Sequence, residues 1–175
     1  WVHALRLDHF RGYRAFWEIP PDAATAAAGR WVEGPGETLF ETVREAGLVD
    51  RLVAEDLGVI DDDVHRLRER YGFPRMHVLQ FGLDDPASPH HPSNHETHAL
   101  ACTGTHDGDT FEGWFAALDD ETRATVATEL GDPDSPARGG IERTWASPAT
   151  WGWSGSPTSV CSTSRTSSSS SPTRY

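Results

Sequence analysis

Lysine is absent from this 175-residue sequence: all 15 basic side chains are arginine, set against 27 carboxylates for a formal net charge of −12. Phosphate contacts need clustered Lys and Arg, so a nucleic-acid partner is argued against. The two cysteines, Cys102 and Cys161, form no CxxC motif and imply no disulfide framework. No apolar run approaches the roughly 20 residues of a membrane span, and no secretory leader is visible. No membrane partner is expected, and the expected location is cytoplasmic. The single methionine is Met76, and the chain opens on Trp1-Val2-His3 directly before a strand-like run. That opening reads as a fragment whose first strands are missing.

What is present is a recurrence. Three acids each follow a short apolar run: Asp8 after Ala4-Leu5-Arg6-Leu7, Glu55 after Leu52-Val53-Ala54, and Asp107 after Cys102-Thr103-Gly104-Thr105-His106. Strands are expected at Leu5–Phe10, Arg51–Glu55, Met76–Phe81 and Ala99–Thr103. Helices are expected from Glu37 to Ala46, with Leu39, Phe40, Val43 and Ala46 on one face, and after Asp61, carrying Val64, Leu67 and Tyr71. Two more begin near Asp109 and Glu121. The stretch up to Gly36, with Trp17 and Trp31, reads as one long loop, and such loops are usually functional. Alternating strands and helices imply an α/β fold with a parallel sheet. In a (β/α)8 barrel the strands' C-terminal ends, here carrying the acids, converge on one face. The chain is short of the roughly 250 residues of a complete barrel, so a partial TIM barrel is expected.

From Gly152 to Tyr175, 14 of 24 residues are Ser or Thr and none is acidic. Such a segment cannot bury enough apolar surface to offset its ordering entropy, so a domain spanning residues 1–150 and a disordered tail over 151–175 are expected. A shifted reading frame explains that tail better than a natural linker does.

Carboxylates at strand ends suit glycosidic-bond chemistry, in which one attacks, one shuttles a proton and one steadies charge. Arg6 lies two residues before Asp8 on the same strand face, where its guanidinium would hold the acid ionised, as a nucleophile requires. A structural Arg–Asp pair is the alternative. Glu55 emerges from apolar neighbours whose desolvation would raise its pKa toward that of a proton shuttle, with Asp56 on the other side to tune it; a solvated strand end is the alternative. The small residues Thr103, Gly104 and Thr105 would let a ligand approach His106, a donor to a sugar hydroxyl, and a charged Asp107. There the alternative is a capped turn entering a helix. His90, His91, His95 and His98 lack the two-and-two spacing of a structural zinc site and read as solvated loop histidines, so no metal is expected. Gly152-Trp153-Ser154-Gly155 is not a nucleophile elbow, because Ser156 stands where GxSxG needs glycine. Trp17, Trp31 and Trp114 could stack on sugars or simply pack.

Taken together, Leu5-Arg6-Leu7-Asp8-His9-Phe10-Arg11-Gly12, Trp31-Val32-Glu33-Gly34-Pro35-Gly36, Ala54-Glu55-Asp56-Leu57-Gly58-Val59-Ile60, Val78-Leu79-Gln80-Phe81 and Thr103-Gly104-Thr105-His106-Asp107 resemble the 4-α-glucanotransferases of the amylomaltase type, glycoside hydrolase family 77. The resemblance runs over residues 1 to about 148. It implies strands four to seven of a catalytic barrel, with Asp8 as nucleophile, Glu55 as general acid/base and Asp107 as transition-state stabiliser. It further implies that Arg6 holds the nucleophile, that His106 binds the sugar and that Asp84 is a sugar contact. Maltodextrins and other α-1,4-glucans would be the substrates, with no cofactor. His106-Asp107-Gly108-Asp109-Thr110 departs from the family's usual His-Asp-Asn-Asp-Thr, and the family's upstream strands, eighth strand and Asn-Pro-Gly-Thr loop are expected to be missing. A half-barrel would leave strand edges and apolar faces exposed, so the fragment by itself is expected to be unstable or inactive. A hydrolase of the α-amylase clan and a non-catalytic remnant stay open as alternatives.

Overall fold

The computed structural model describes residues 3–132, 134–149 and 151–153 and divides into two compact units, Trp1–Met76 and His77–Tyr175. Helices and short sheets alternate, a mixed α/β arrangement.

In the first unit, β1 (Leu5–Leu7) leads through a turn into the single helical turn α1 (Arg11–Arg14). The expected long loop is instead partly a hairpin, in which β2 (Ala15–Glu18) pairs antiparallel with β3 (Arg30–Glu33) and sets Trp17 opposite Trp31. Their rings meet edge to face at 5.4 Å, and Trp17 Nε1 donates to the Ala26 carbonyl. Cross-strand aromatic contact of this kind stabilises a hairpin that no short turn motif announces. Helix α2 (Gly36–Glu45) follows, and Gly47 leaves it at φ 67°, a left-handed stop that suits glycine.

β4 (Leu52–Ala54) is buried along its length and pairs parallel with β1, Leu5 opposite Leu52, Arg6 opposite Val53 and Leu7 opposite Ala54. That register makes Asp8 and Glu55 the next pair in line. Helix α3 (Asp62–Arg70) starts as expected, the Asp61 carboxylate accepting the Asp63 and Val64 N–H groups, each at 3.1 Å. The core between these elements is aromatic. Phe40 of α2 stacks on Phe10 at 5.7 Å, meets Phe73 edge-on at 4.9 Å, and lies 5.4 Å from Tyr71, with Leu52, Ala54, Val64 and Leu67 around it.

β5 (Arg75–Val78) gives way at Leu79–Phe81 to a 3-10 turn, not to the longer strand expected. The turn lets Leu79 and Leu83 enter a second core with Phe111, Phe115, Val126 and Leu130. β6 (Ala99–Cys102) is wholly buried and is followed by α4 (Phe111–Ala117), α5 (Asp120–Leu130) and α6 (Pro136–Ala146). No expectation covered α6, whose Gly140 sits against the Phe111 ring where a Cβ would lie 2.8 Å from Cζ.

The expected absence of a further strand is corrected. β7 (Trp151–Trp153) pairs parallel with β6, Leu100 opposite Trp151 and Cys102 opposite Trp153, completing the order β5-β6-β7. The free backbone edge of β6 is satisfied by these residues, which the division after residue 150 had assigned to the tail. The rest of the expected tail, from residue 154, lies outside the described residues.

The loop histidines are corrected as well. His91 and His95 are buried, His90 is half-buried, and only His98 is exposed. His77 and His95 stack at 4.4 Å, nearly parallel, while the His95 ring bonds to Ser147 Oγ at 2.6 Å and to the His90 carbonyl at 2.9 Å. Burial lowers the His95 pKa, favouring a neutral ring. These rings are packing elements, and no cluster among the described residues could hold a metal ion.

Candidate active site

The C-terminal ends of β1 and β4 bring Asp8 and Glu55 side by side. The Arg6 guanidinium meets the Asp8 carboxylate, as the period-two spacing expected. The Asp8 side chain is 59% exposed and that of Arg6 15%, so the pair adds little stability; what it does is aim the carboxylate. The other Arg6 nitrogen, Nη1, lies 3.7 Å from the Met76 sulfur. A structural strand-end pair and a held nucleophile share this geometry, and exposure leaves the acid open to attack an incoming group.

Glu55 is not a solvated strand end. It is half-buried, its Oε1 accepts the Leu57 N–H at 3.0 Å and its Oε2 the His9 N–H at 2.7 Å. Burial raises its pKa; the Leu57 and His9 N–H groups and the Arg6 charge pull it back, and the Asp8 charge adds to the rise. One exposed acid held by an arginine beside one desolvated acid is an arrangement that double displacement at a sugar carbon can use.

Asp56, the next residue, points the other way into the protein with its side chain 1% exposed. It accepts the Met76 N–H at 2.8 Å and faces Arg68 Nε at 3.3 Å and Arg75 Nε at 3.5 Å. Burial pushes its carboxyl up while those three partners oppose the rise. Asp56 thereby ties the end of β4 to α3 and to β5.

In the second unit, His106 Nε2 and Asp107 Oδ1 lie 3.3 Å apart, and both side chains are mostly exposed. The turn closes by Gly108 N–H donating to the Thr105 carbonyl at 3.3 Å and Asp107 N–H donating to Thr105 Oγ1 at 3.3 Å. The stretch is a turn leading into a capped helix, as the alternative had it, but Asp107 is not the cap. α4 is capped by Thr110, whose Oγ1 accepts the Gly113 N–H at 3.1 Å, so the Asp107 carboxylate stays available. Gly104 is small for a reason the sequence did not show: a Cβ there would strike the Gln80 amide. Gln80 Nε2 in turn donates to the Asp109 carbonyl at 3.1 Å. Gln80 therefore braces the Thr105–Asp109 turn, a role that the sequence reading did not assign to it. Asp84 is exposed just beyond Leu83, and its suggested sugar contact rests on the resemblance alone.

One ion-paired carboxylate and one half-buried one thus close neighbouring parallel strands of an α/β fold. The chain belongs to the 4-alpha-glucanotransferase family, whose family model matches residues 1–156. It is 44% identical over 147 residues to the 4-alpha-glucanotransferase of Thermus thermophilus, covering 82% of this chain and 29% of that protein. It is 43% identical over 141 residues to the chloroplastic/amyloplastic 4-alpha-glucanotransferase of Solanum tuberosum, covering 79% and 24%. Among solved structures it is similar to the amylomaltase from Streptococcus agalactiae in complex with acarbose, with 34% identity and a TM-score of 0.75 over 83% of this chain and 30% of that one. The chain thus spans less than a third of the length of these relatives.

Proposed function

We propose that this chain supplies the catalytic acids of an enzyme that transfers α-1,4-glucan segments between malto-oligosaccharides with retention of configuration. The observation that carries the reading is the Asp8–Glu55 pair, one acid held by Arg6 and the other desolvated, in a chain of this family. β1, β4, β5 and β6 are read as strands four to seven of a (β/α)8 barrel, with β7 as the eighth.

Asp8 attacks the anomeric carbon of the donor while Glu55 gives its proton to the departing glycosidic oxygen. The C1–O4 bond breaks and a glycosyl ester on Asp8 forms. Glu55, now a carboxylate, takes the proton from the 4-hydroxyl of a second glucan, whose oxygen attacks C1 and releases Asp8. Asp107 is assigned the third role, steadying positive charge on the sugar ring. Arg6 holds the nucleophile, His106 donates to a sugar hydroxyl, and Asp84 is a further sugar contact. The chemistry is carried by carboxylates and hydrogen bonds, without a cofactor.

The test is product analysis of a chimera in which this chain replaces the matching stretch of the Thermus thermophilus relative. Maltotriose should yield glucose and chains longer than maltotriose with no net gain of reducing ends. A steady gain of reducing ends without longer products would replace transfer by hydrolysis.

A further inference from the structure

His9 is the one non-glycine residue among those described with a positive φ, 47°. Its side chain is exposed, and a residue of this type leaves the usual backbone regions only where its surroundings over-determine it. What surrounds it is Glu55. The Glu55 N–H donates to the Leu7 carbonyl at 3.0 Å and the Phe10 N–H donates to the Glu55 carbonyl at 3.1 Å, continuing the β1–β4 ladder. Between those two, the His9 N–H leaves the ladder and donates to Glu55 Oε2 at 2.7 Å. Phe10 next to it returns to the right-handed region, at φ −55° and ψ −32°, so the left-handed step is confined to His9.

We propose that His9 is a positioning residue for the acid pair, acting through its backbone: the left-handed turn that carries the chain away from Asp8 delivers an N–H to the Glu55 carboxylate. The inference rests on the roles proposed for Asp8 and Glu55. One peptide turn then does two things. It sets where the attacking acid ends its strand, and it fixes the rotamer of the acid/base beside it. Because the N–H favours the charged carboxylate, it also opposes the effect of burial and limits how tightly Glu55 holds its proton. The imidazole has no part in this.

The experiment is a pH titration of the 175-residue chain by NMR, following the Glu55 side-chain carboxyl carbon and the amide of residue 9. The residue-9 amide should shift with the same midpoint as Glu55, and the shift should be lost in Glu55→Gln. His9→Gly, which keeps the N–H and accepts a positive φ, should preserve the coupling. His9→Pro, which has no N–H and a fixed negative φ, should move the Glu55 midpoint upward. An amide at residue 9 that ignores Glu55 ionisation would overturn the proposal, as would His9→Gly displacing the midpoint as far as His9→Pro. The first readout needs only the unaltered chain and Glu55→Gln, so a proline variant that fails to fold leaves it intact. No transfer activity enters the measurement: a chimera without activity and with the coupling intact would sink the catalytic reading and leave the geometry standing.

Discussion

Replacing Phe40 with alanine removes the centre of the aromatic core that backs the Asp8–Glu55 site. The ring is fully buried and has four aromatic neighbours, Phe10 at 5.7 Å, Tyr13 at 5.3 Å, Tyr71 at 5.4 Å and Phe73 at 4.9 Å. Truncating a buried phenylalanine costs about 3–5 kcal/mol, transfer and cavity contributions together. The lost aromatic pairs, at about 0.5–1.5 kcal/mol each beyond burial, place Phe40→Ala toward the upper end. Against the roughly 5–15 kcal/mol that holds a domain folded, this is a large fraction. Phe10 leans on Phe40 and its N–H bonds the Glu55 carbonyl, so the loss should reach the site. Native-state amide exchange reads this directly. The Glu55 amide, bonded to the Leu7 carbonyl, and the Ala54 amide, bonded to the Pro74 carbonyl, should lose about 3–5 kcal/mol of opening free energy. Leu39, one residue earlier on α2 and exposed, is the control, and Leu39→Ala should cost under about 1 kcal/mol. A Phe40→Ala cost below about 1 kcal/mol, or a Leu39→Ala cost equal to it, would refute the packing argument.

Asp61→Ala should destabilise α3 by about 1 kcal/mol, seen as faster exchange of the Asp63 and Val64 amides; unchanged exchange would show that the cap is not needed. Glu55→Gln tests the direction of the Glu55 pKa through stability. Burial raises the folded-state value above the ordinary 4.5, so between the two values the folded chain keeps a proton that the unfolded chain has released. Stability drawn from that proton is present below about 4.5 and lost as pH rises through the folded value. Urea unfolding should therefore show Glu55→Gln gaining on the wild type as pH rises through this window and a constant difference above it. A gain that shrinks with rising pH would reverse the assignment.

The features legible in the sequence were those written locally. Asp61 starts α3 with a signal a few residues long, Gly72 just beyond it takes φ 66°, and Arg6 and Asp8 are brought together by strand alternation alone. The β2–β3 hairpin was missed because its strands are joined by a long connection, and the pairing of Trp17 with Trp31 is visible only once the register is known. Met76 to Phe81 reads as strand by composition, yet Leu79 turns inward to a core built by α4 and α5. His95 became a packing residue because Ser147, far along the chain, supplies its partner. β7 was hidden by an average: Gly152 and Trp153, two of its three residues, were pooled with the serines after them. At the site, acids at the ends of two expected strands were enough to foresee Asp8 and Glu55 as neighbours, while their roles belong to the proposed function. The backbone of His9 and the Gln80 brace of the Thr105–Asp109 turn were not legible, since both depend on peptide groups whose direction only the folded chain sets.

The measurement that bears most directly on the catalytic reading is trapping of the glycosyl ester. A fluorinated glycosyl donor that slows the second step should leave the Thermus chimera carrying one added sugar, and peptide mapping should place it on the carboxylate of Asp8. The Asp8→Asn variant should carry none. A sugar found on Glu55, or on any residue other than Asp8, would contradict the account.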